Sequence, residues 1–346
     1  MPVESEPDTF RSATSVLVPR NLLGVKMLGN LQVLRFLAAT GVVLLHSEFK
    51  VAGISTDFYG VAVFFVISGY VMCLVHDRPA GRFFSDRLWR VVPPYWVATF
   101  ILVIGLAAWR EVSLSEIGRS LLFIPYQDSR GAFFPVLGVG WTLNLEMYFY
   151  AIFSVAIAVN RRFAPLLTAI TVSSVALLLP QITSNTAVLY YYANDYVFYF
   201  VMGIAIWFIT QHLFKWRPGL YVPSWLFVLV TALYVGLVLV GVNEFVIVPL
   251  LVLTAVIAAR SGGDIRDRRL LLLGAASYGC YLLHTILIAA MRAAGIDVNG
   301  TLVIVAIIMI LSWTVSIVWF HTVEAYFSRL RKRLRKPRSP RTEITH

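Results

Sequence analysis

Leu31-Gln-Val-Leu-Arg35-Phe-Leu-Ala-Ala-Thr-Gly-Val-Val-Leu-Leu-His46 is an apolar run with an arginine near its start and a histidine at its end. Read as a membrane-spanning helix, it holds two ionisable groups where hydrocarbon makes such groups costly. Side chains of this kind are rare in membranes and usually line a pathway or a reaction centre. The eleven-residue spacing corresponds to roughly 16 Å at 1.5 Å per residue, about half a bilayer core. The pair therefore points to chemistry that links one side of a membrane to the other.

Nine further segments share this apolar character. The ten candidate spans are 28–47, 58–76, 92–109, 142–159, 163–180, 188–209, 224–241, 243–259, 270–291 and 301–320. Each approaches the 17–25 apolar residues that a helix needs to cross the core. Of the 346 residues, 59% are hydrophobic and only 14% charged, whereas a soluble domain carries about a quarter charged residues. The expected fold is an all-α, polytopic integral membrane bundle of about ten helices. The connections near 160–163 and 241–243 are short enough to demand helical hairpins. Residues 1–27 read as a polar, disordered cytoplasmic leader without a cleavable signal peptide. The transmembrane domain is expected over 28–325 and a basic cytoplasmic tail over 326–346.

Basic residues set the orientation. With a cytoplasmic amino terminus, Arg11, Arg20 and Lys26 lie inside, as do Arg78, Arg82, Arg87 and Arg90. The inner loops add Arg161, Arg162, Lys215, Arg217, Arg260, Arg266, Arg268 and Arg269, and the tail supplies eight more after Phe327. Lys50, Arg110, Arg119, Arg130 and Arg292 fall outside. The positive-inside rule thus puts both termini in the cytoplasm. The net charge of +11 records this asymmetry. It does not signal nucleic-acid binding, because no basic patch interleaved with aromatics is present. The tail around Arg329–Arg338 continues the last helix as a basic stretch suited to anionic headgroups of membrane lipids. Cys73 and Cys280 fall inside spans and read as small packing residues.

Depth groups the titratable side chains. His46, Glu146 and His284 all fall in the outer half of the bundle, where a histidine with a carboxylate partner can act as a general base. The bland readings stay open: an interfacial histidine, a structurally paired glutamate, a histidine bonded to a neighbouring helix. Near the inner surface, Arg87-Leu-Trp-Arg90 precedes Pro93-Pro94, and its three-residue spacing puts both guanidiniums on one helix face. Such planar forks hold phosphate with paired hydrogen bonds; a topology determinant is the alternative. Arg35, a third of the way up its helix, demands a partner: a cofactor phosphate, a carbonyl or an intramembrane carboxylate would serve. Asp195 reads as a further buried carboxylate. The tyrosines around it fit an interfacial belt or a sugar-stacking surface. Trp141 and Asn144 flank Glu146 as polar or stacking groups for an acceptor. The connection from Arg110 to Trp141, with an amphipathic piece at Ser115–Ile124, is long enough to suggest a lid or substrate-facing loop. No P-loop, zinc-spaced cluster or nucleophile elbow occurs, and no metal is expected.

Leu34-Arg35-Phe36-Leu37-Ala38-Ala39 leading to His46 resembles the first helix of the acyltransferase-3 family of integral membrane acyltransferases. Gly60-Val-Ala-Val-Phe64-Phe65-Val-Ile-Ser68-Gly69-Tyr70 is similar to its second helix. Arg87-Leu-Trp-Arg90 before Pro94-Tyr95-Trp96 resembles its paired-arginine motif. Trp141-Thr-Leu-Asn-Leu-Glu146-Met-Tyr-Phe-Tyr150 and Ser277-Tyr278-Gly-Cys-Tyr281-Leu282-Leu-His284 complete the set, in order, over about 28–325. The resemblance implies a bacterial inner-membrane enzyme that moves an acyl group, usually acetyl, from cytoplasmic acetyl-CoA to a carbohydrate on the outer side. It implies that Arg35 and His46 match an essential first-helix pair and Arg87 and Arg90 the family's paired arginines; with Arg35, these arginines are expected to bind the acyl-CoA, its phosphates on Arg87 and Arg90. His46, Glu146 and His284 would then be catalytic, and Trp141, Asn144 and Asp195 would contact the surface carbohydrate. No esterase-like domain follows the last span, so the chain is expected to act without one. A succinyl-CoA donor, or a transporter or flippase of lipid-linked sugars lined by the same charges, remains open at this point. Oligomeric state is not legible.

Overall fold

A computed structural model describes residues 28–51, 53–55, 58–106 and 112–335. The leader at 1–27, Arg110 and the tail beyond Arg335 lie outside the described residues. Thirteen α-helices run in order among them: α1 Gly29–His46, α2 Gly60–Cys73, α3 Ala80–Leu106, α4 Leu114–Leu121, α5 Gly140–Val159, α6 Ala164–Ile182 and α7 Thr186–Tyr192. There follow α8 Val197–Trp216, α9 Ser224–Leu239, α10 Glu244–Arg260, α11 Arg268–Ala293, α12 Leu302–Trp319 and α13 Ala325–Arg335. A short antiparallel hairpin, β1 Lys50–Val51 and β2 Ile54–Ser55, follows α1.

Over its described residues each expected span coincides with a helix, except 188–209, which is divided between two. Seven stretches are long and apolar enough to cross a membrane: α1, α3, α5, α6, α7 with α8, α11, and α12 with α13. Helices α2 and α9 are apolar but shorter, and α10 has 17 residues. The outward faces match a hydrocarbon solvent. Ile104, Val159, Ile182, Val240, Leu302 and Ile310 are all largely exposed, more apolar surface than a water-facing domain of this size would leave bare. The chain is a multi-pass membrane protein.

The centre is built from α1, α2, α8, α10 and α11, with α12 against α11 and α9 against α10. Close crossings depend on glycine. A Cβ on Gly203 of α8 would lie 2.2 Å from the Val66 carbonyl oxygen of α2, and one on Gly69 would lie 2.1 Å from that of Phe200. The two helices therefore touch backbone to backbone, the packing that membranes favour where no water drives helices together. Helix α1 has no cap from its own preceding residue. Instead Asp264, in the α10–α11 connection, accepts hydrogen bonds from the amides of Gly29 (2.6 Å) and Asn30 (3.3 Å), satisfying donors that a helix start leaves open.

Three expectations are corrected. Helix α3 starts at Ala80, twelve residues before the expected 92, so Arg87 and Arg90 lie well inside it. Pro93 and Pro94 free two carbonyls of the preceding turn without ending the helix. Asp195 is exposed, not buried: the span expected at 188–209 breaks between α7 and α8, where the Asn194 side chain accepts from the Tyr196 amide (2.9 Å). Asn and Asp offer the backbone such local bonds, and helices yield to them. The tail is not simply a lipid-facing stretch. Helix α13 continues α12 through a π-turn at Phe320–Glu324, and Arg331 and Arg335 both reach Asp86 of α3, which also takes Arg78. Arg331 is 4% exposed, so this part of the tail is a clamp on the helix that carries the paired arginines.

The long connection is closely tied down. Helix α4 begins with a capping box of Ser113 and Glu116, and Glu116 also accepts from the Ser129 amide (3.2 Å). Asp128 gathers Arg130 and the amides of Arg130 and Ala132. Burial alone would raise its carboxyl, but these partners outweigh burial and hold it below the usual carboxylate range.

Candidate active site

One face of each of five helices lines a shared cavity enclosing about 790 Å³ free of protein atoms, part of it open to the surroundings. Helix α2 contributes Val61, Phe64, Phe65, Ile67, Ser68, Val71 and Met72, most of them at the i, i+3, i+4 spacing of one helix face. Helix α5 contributes Thr142, Leu143, Glu146 and Tyr150; α1, Arg35; α3, Arg87, Arg90 and Val91; α11, Tyr278 and Tyr281. The paired arginines and Arg35, far apart in sequence, thus meet in one space.

Arg87 is 2% exposed. Its guanidinium lies 5.6 Å from the centroids of both Phe83 and Tyr150, a cation–π setting. Its Nε and Nη2 have no hydrogen-bond partner. A buried charge with bare donors is expensive, and a group bearing anionic oxygens would satisfy both nitrogens at once. Arg35 is also buried, with Gln32 Oε1 3.5 Å from its Nη1. Arg90 faces this cavity and a smaller one lined by Trp89, Pro94, Glu324, Ser328 and Arg331. Glu324, at the π-turn, has electrostatic neighbours in Arg90 and Arg35, and its Oε1 is unpartnered. Sequence reasoning missed Glu324 because it lies past the expected end of the last span. An isolated acid there, before a basic run, was the available signal.

His46 and His284 meet at the other end of the bundle. Their rings lie 4.9 Å apart at 68°, with His284 Nε2 3.3 Å from His46 Nδ1. His46 Nδ1 is also 2.9 Å from the Val42 carbonyl oxygen, and His284 Nδ1 3.0 Å from that of Cys280. A carbonyl oxygen only accepts, so each Nδ1 carries the hydrogen. His284 Nε2 is then a lone-pair acceptor for the shared His46 Nδ1–H, and His46 Nε2 is left as a free base. His284 is fully buried, whereas His46 is exposed. This arrangement suits a base (His46) backed by an orienting acceptor (His284).

Glu146 belongs to the arginine cavity and not to the histidine pair. Its Oε1 accepts from Ser68 Oγ (3.2 Å) and from the Tyr150 hydroxyl, and it bonds neither histidine. The cavity itself stops short of the pair. Its last residues on that side are Thr142 and Tyr281, whose hydroxyls lie 2.7 Å apart. Neither His46 nor His284 lines it; Tyr281, which does, has its ring centroid 6.1 Å from that of His284. Ser68, Tyr150 and Tyr281 sit within the motifs quoted above, yet only the packing assigns them contacts.

The expected acceptor residues fare differently. Asn144 is buried and spent: its Nδ2 donates to the Phe123 carbonyl (2.7 Å) and its Oδ1 accepts from Tyr192 (3.2 Å). It bolts the outer connection to α5. Trp141 packs edge-on against Tyr196 with centroids 5.3 Å apart, outside the cavity. Asp195 is solvent-exposed, as described above. Among the described residues no three His, Cys, Asp or Glu side chains gather as a metal-ligand set.

The family described as "Acyltransferase domain" matches residues 28–321. The exopolysaccharide production protein ExoZ of Rhizobium meliloti (strain 1021) is 35% identical over 259 residues, covering 69% of this chain and 79% of that protein. A putative membrane-bound transacylase, BcsY, of Komagataeibacter xylinus is 29% identical over 200 residues, covering 51% of this chain and 50% of its own length. No solved structure matches the chain significantly. The chain belongs to this family of membrane acyltransferases.

Proposed function

We propose that the protein is an O-acetyltransferase of the bacterial inner membrane, taking acetyl from cytoplasmic acetyl-CoA to a hydroxyl of exopolysaccharide or its lipid-linked repeat unit. The observation that carries this reading is the buried Arg87 guanidinium with two bare nitrogens, sharing a cavity with Arg35 and Arg90. The similarity to an exopolysaccharide production protein supports the acceptor class. The basic-residue asymmetry supports a cytoplasmic arginine end and an outer histidine end.

Residues of the chain divide the work. Arg87 and Arg90 bind the phosphate oxygens of the donor, and Arg35 neutralises charge along its arm. Bound acetyl-CoA supplies an activated thioester. His46 Nε2 takes the proton of the acceptor hydroxyl as its oxygen attacks the acyl carbon; the C–S bond breaks, and the proton passes to the departing thiolate. His284 Nε2, accepting from Nδ1–H, holds the His46 ring in the tautomer that leaves Nε2 free. The cavity walls limit water.

The direct test incubates purified protein with acetyl-labelled acetyl-CoA and surface glycan stripped of esters by mild base. Alkali-labile label should appear on glycan; transport of glycan without any consumption of acetyl-CoA would sink the reading. A parallel arm with succinyl-CoA tests the donor. Arg87→Ala with Arg90→Ala should raise the acetyl-CoA KM by about 100-fold, as expected for losing two hydrogen bonds to charge at roughly 1.5 kcal/mol each. An unchanged KM would remove the phosphate-binding role.

A further inference from the structure

The cavity and the histidine pair approach each other across a single contact. Tyr281 lines the cavity, and its ring centroid lies 6.1 Å from that of His284, three residues along the same helix. On the other side the Tyr281 ring meets Phe64 edge-on at 6.0 Å. Its hydroxyl lies 2.7 Å from Thr142 Oγ1 and 3.0 Å from the Val139 carbonyl oxygen. Thr142 Oγ1 is likewise 3.0 Å from that carbonyl. Two hydroxyl protons thus serve three close oxygen pairs. Either hydroxyl can donate to Val139 while the other donates to its neighbour, so the closure has two equivalent hydrogen-bonded arrangements. No main-chain bond of a helix has to break for the tyrosine to leave.

We propose that Tyr281, latched by Thr142 to the Val139 carbonyl, is a gate that keeps the donor cavity closed from the His46–His284 pair until an acceptor is in place. The proposal rests on the acetyl-transfer reading and assigns a residue pair to its coupling. The chemical need is plain. A base able to deprotonate a sugar hydroxyl also deprotonates water, and water attacking the thioester releases acetate and free thiol in place of ester and free thiol. His46 is exposed at its end of the bundle, the end at which the acceptor, and water with it, would arrive. What the fold withholds from it is the donor, and Tyr281 with Thr142 forms that barrier. Opening requires the Tyr281 ring to swing away from its contacts with Phe64 and His284.

Two measurements test the gate. In the first, acetate release from acetyl-labelled acetyl-CoA in water is compared with transfer to base-stripped glycan. Tyr281→Phe keeps the ring and loses the latch; Thr142→Val keeps the volume and loses its hydroxyl. Both should raise the ratio of hydrolysis to transfer by about tenfold. An unchanged ratio in both folded variants would overturn the gate, because a merely structural role alters total activity and not partition. The second measurement needs no turnover. With Cys73 and Cys280 replaced by alanine, Val71→Cys places a thiol in the cavity, and a charged maleimide is added from the histidine side of sealed vesicles. Labelling should be slow with Tyr281 present and about tenfold faster in Tyr281→Ala. Equal rates would refute the gate. Faster labelling in a protein that consumes no acetyl-CoA would keep the gate and reject the acetyl-transfer reading.

Discussion

His46→Ala is expected to lower the rate of acyl transfer by about 10²–10⁴-fold, the range over which a positioned general base acts. At roughly 1.4 kcal/mol per tenfold, this removes about 3–5 kcal/mol of transition-state stabilisation. The loss should fall on kcat, because His46 does not line the cavity that holds the arginines, and the acetyl-CoA KM should hardly move. His284→Ala should cost less, about tenfold, since it leaves His46 Nε2 in place and removes only the acceptor that orients Nδ1–H. The double variant should be no slower than His46→Ala alone, because residues that act as a unit do not add. Purified variants need a thermal melt beside each rate to show that the bundle is intact. If His46→Ala transfers label at the wild-type rate, the base lies elsewhere. If the two losses simply add, the histidines act independently.

The largest effect on stability is expected at the α2–α8 crossing. Gly203→Ala puts a methyl 2.2 Å from the Val66 carbonyl oxygen and 2.9 Å from the Gly69 Cα, whereas ordinary contact begins near 3.4 Å. The obstacle is backbone on both sides, so no side chain can rotate away. The helices must part by about 1 Å along a contact that also carries the stacked pair Phe65 and Phe200, 4.4 Å between centroids. Overpacking of this kind costs about 1–3 kcal/mol. It also pries Ser68, which holds Glu146, away from the cavity wall. Gly203→Ala in detergent should therefore melt several degrees below wild type and lose activity before it loses helix. The control is Gly236→Ala, at an exposed helical position where the added methyl meets nothing. Alanine there should be neutral or better by up to about 1 kcal/mol. Equal melting of the two variants would mean that α2 and α8 do not approach this closely.

The spans were legible because hydrocarbon imposes the same demand everywhere along the chain: about twenty apolar residues and every backbone group bonded within the helix. The helical hairpins after Val159 and Leu239 were legible from loop length alone. Arg35 could be singled out because charge in an apolar setting is conspicuous, and Arg87 and Arg90 because their three-residue spacing shares one helix face. The errors fall where local chemistry competed with hydropathy. The start of α3 was obscured because Arg82, Asp86, Arg87 and Arg90 lower its apolar content, although Asp86 is neutralised by partners on α13 and Arg87 and Arg90 turn into the cavity. Asp195 was misplaced because seven aromatic and aliphatic neighbours outweighed the turn signal of Asn194-Asp195. The tail was assigned to lipid because a basic run carries no mark of the single carboxylate, Asp86, that captures two of its arginines.

Taken alone, the sequence determined the all-helical membrane architecture, the order of the helices and the few polar residues worth watching, because these follow from solvent and spacing within one segment. Only the tertiary structure decided which of those residues meet. It paired His46 with His284 across 238 positions, sent Glu146 to Ser68 and Tyr150, and set a tyrosine and a threonine between the arginines and the imidazoles. Depth along a helix is a one-dimensional quantity that a sequence records. Which face turns toward which neighbour depends on helix crossings such as Gly69 against Gly203, where packing between distant segments sets the rotation.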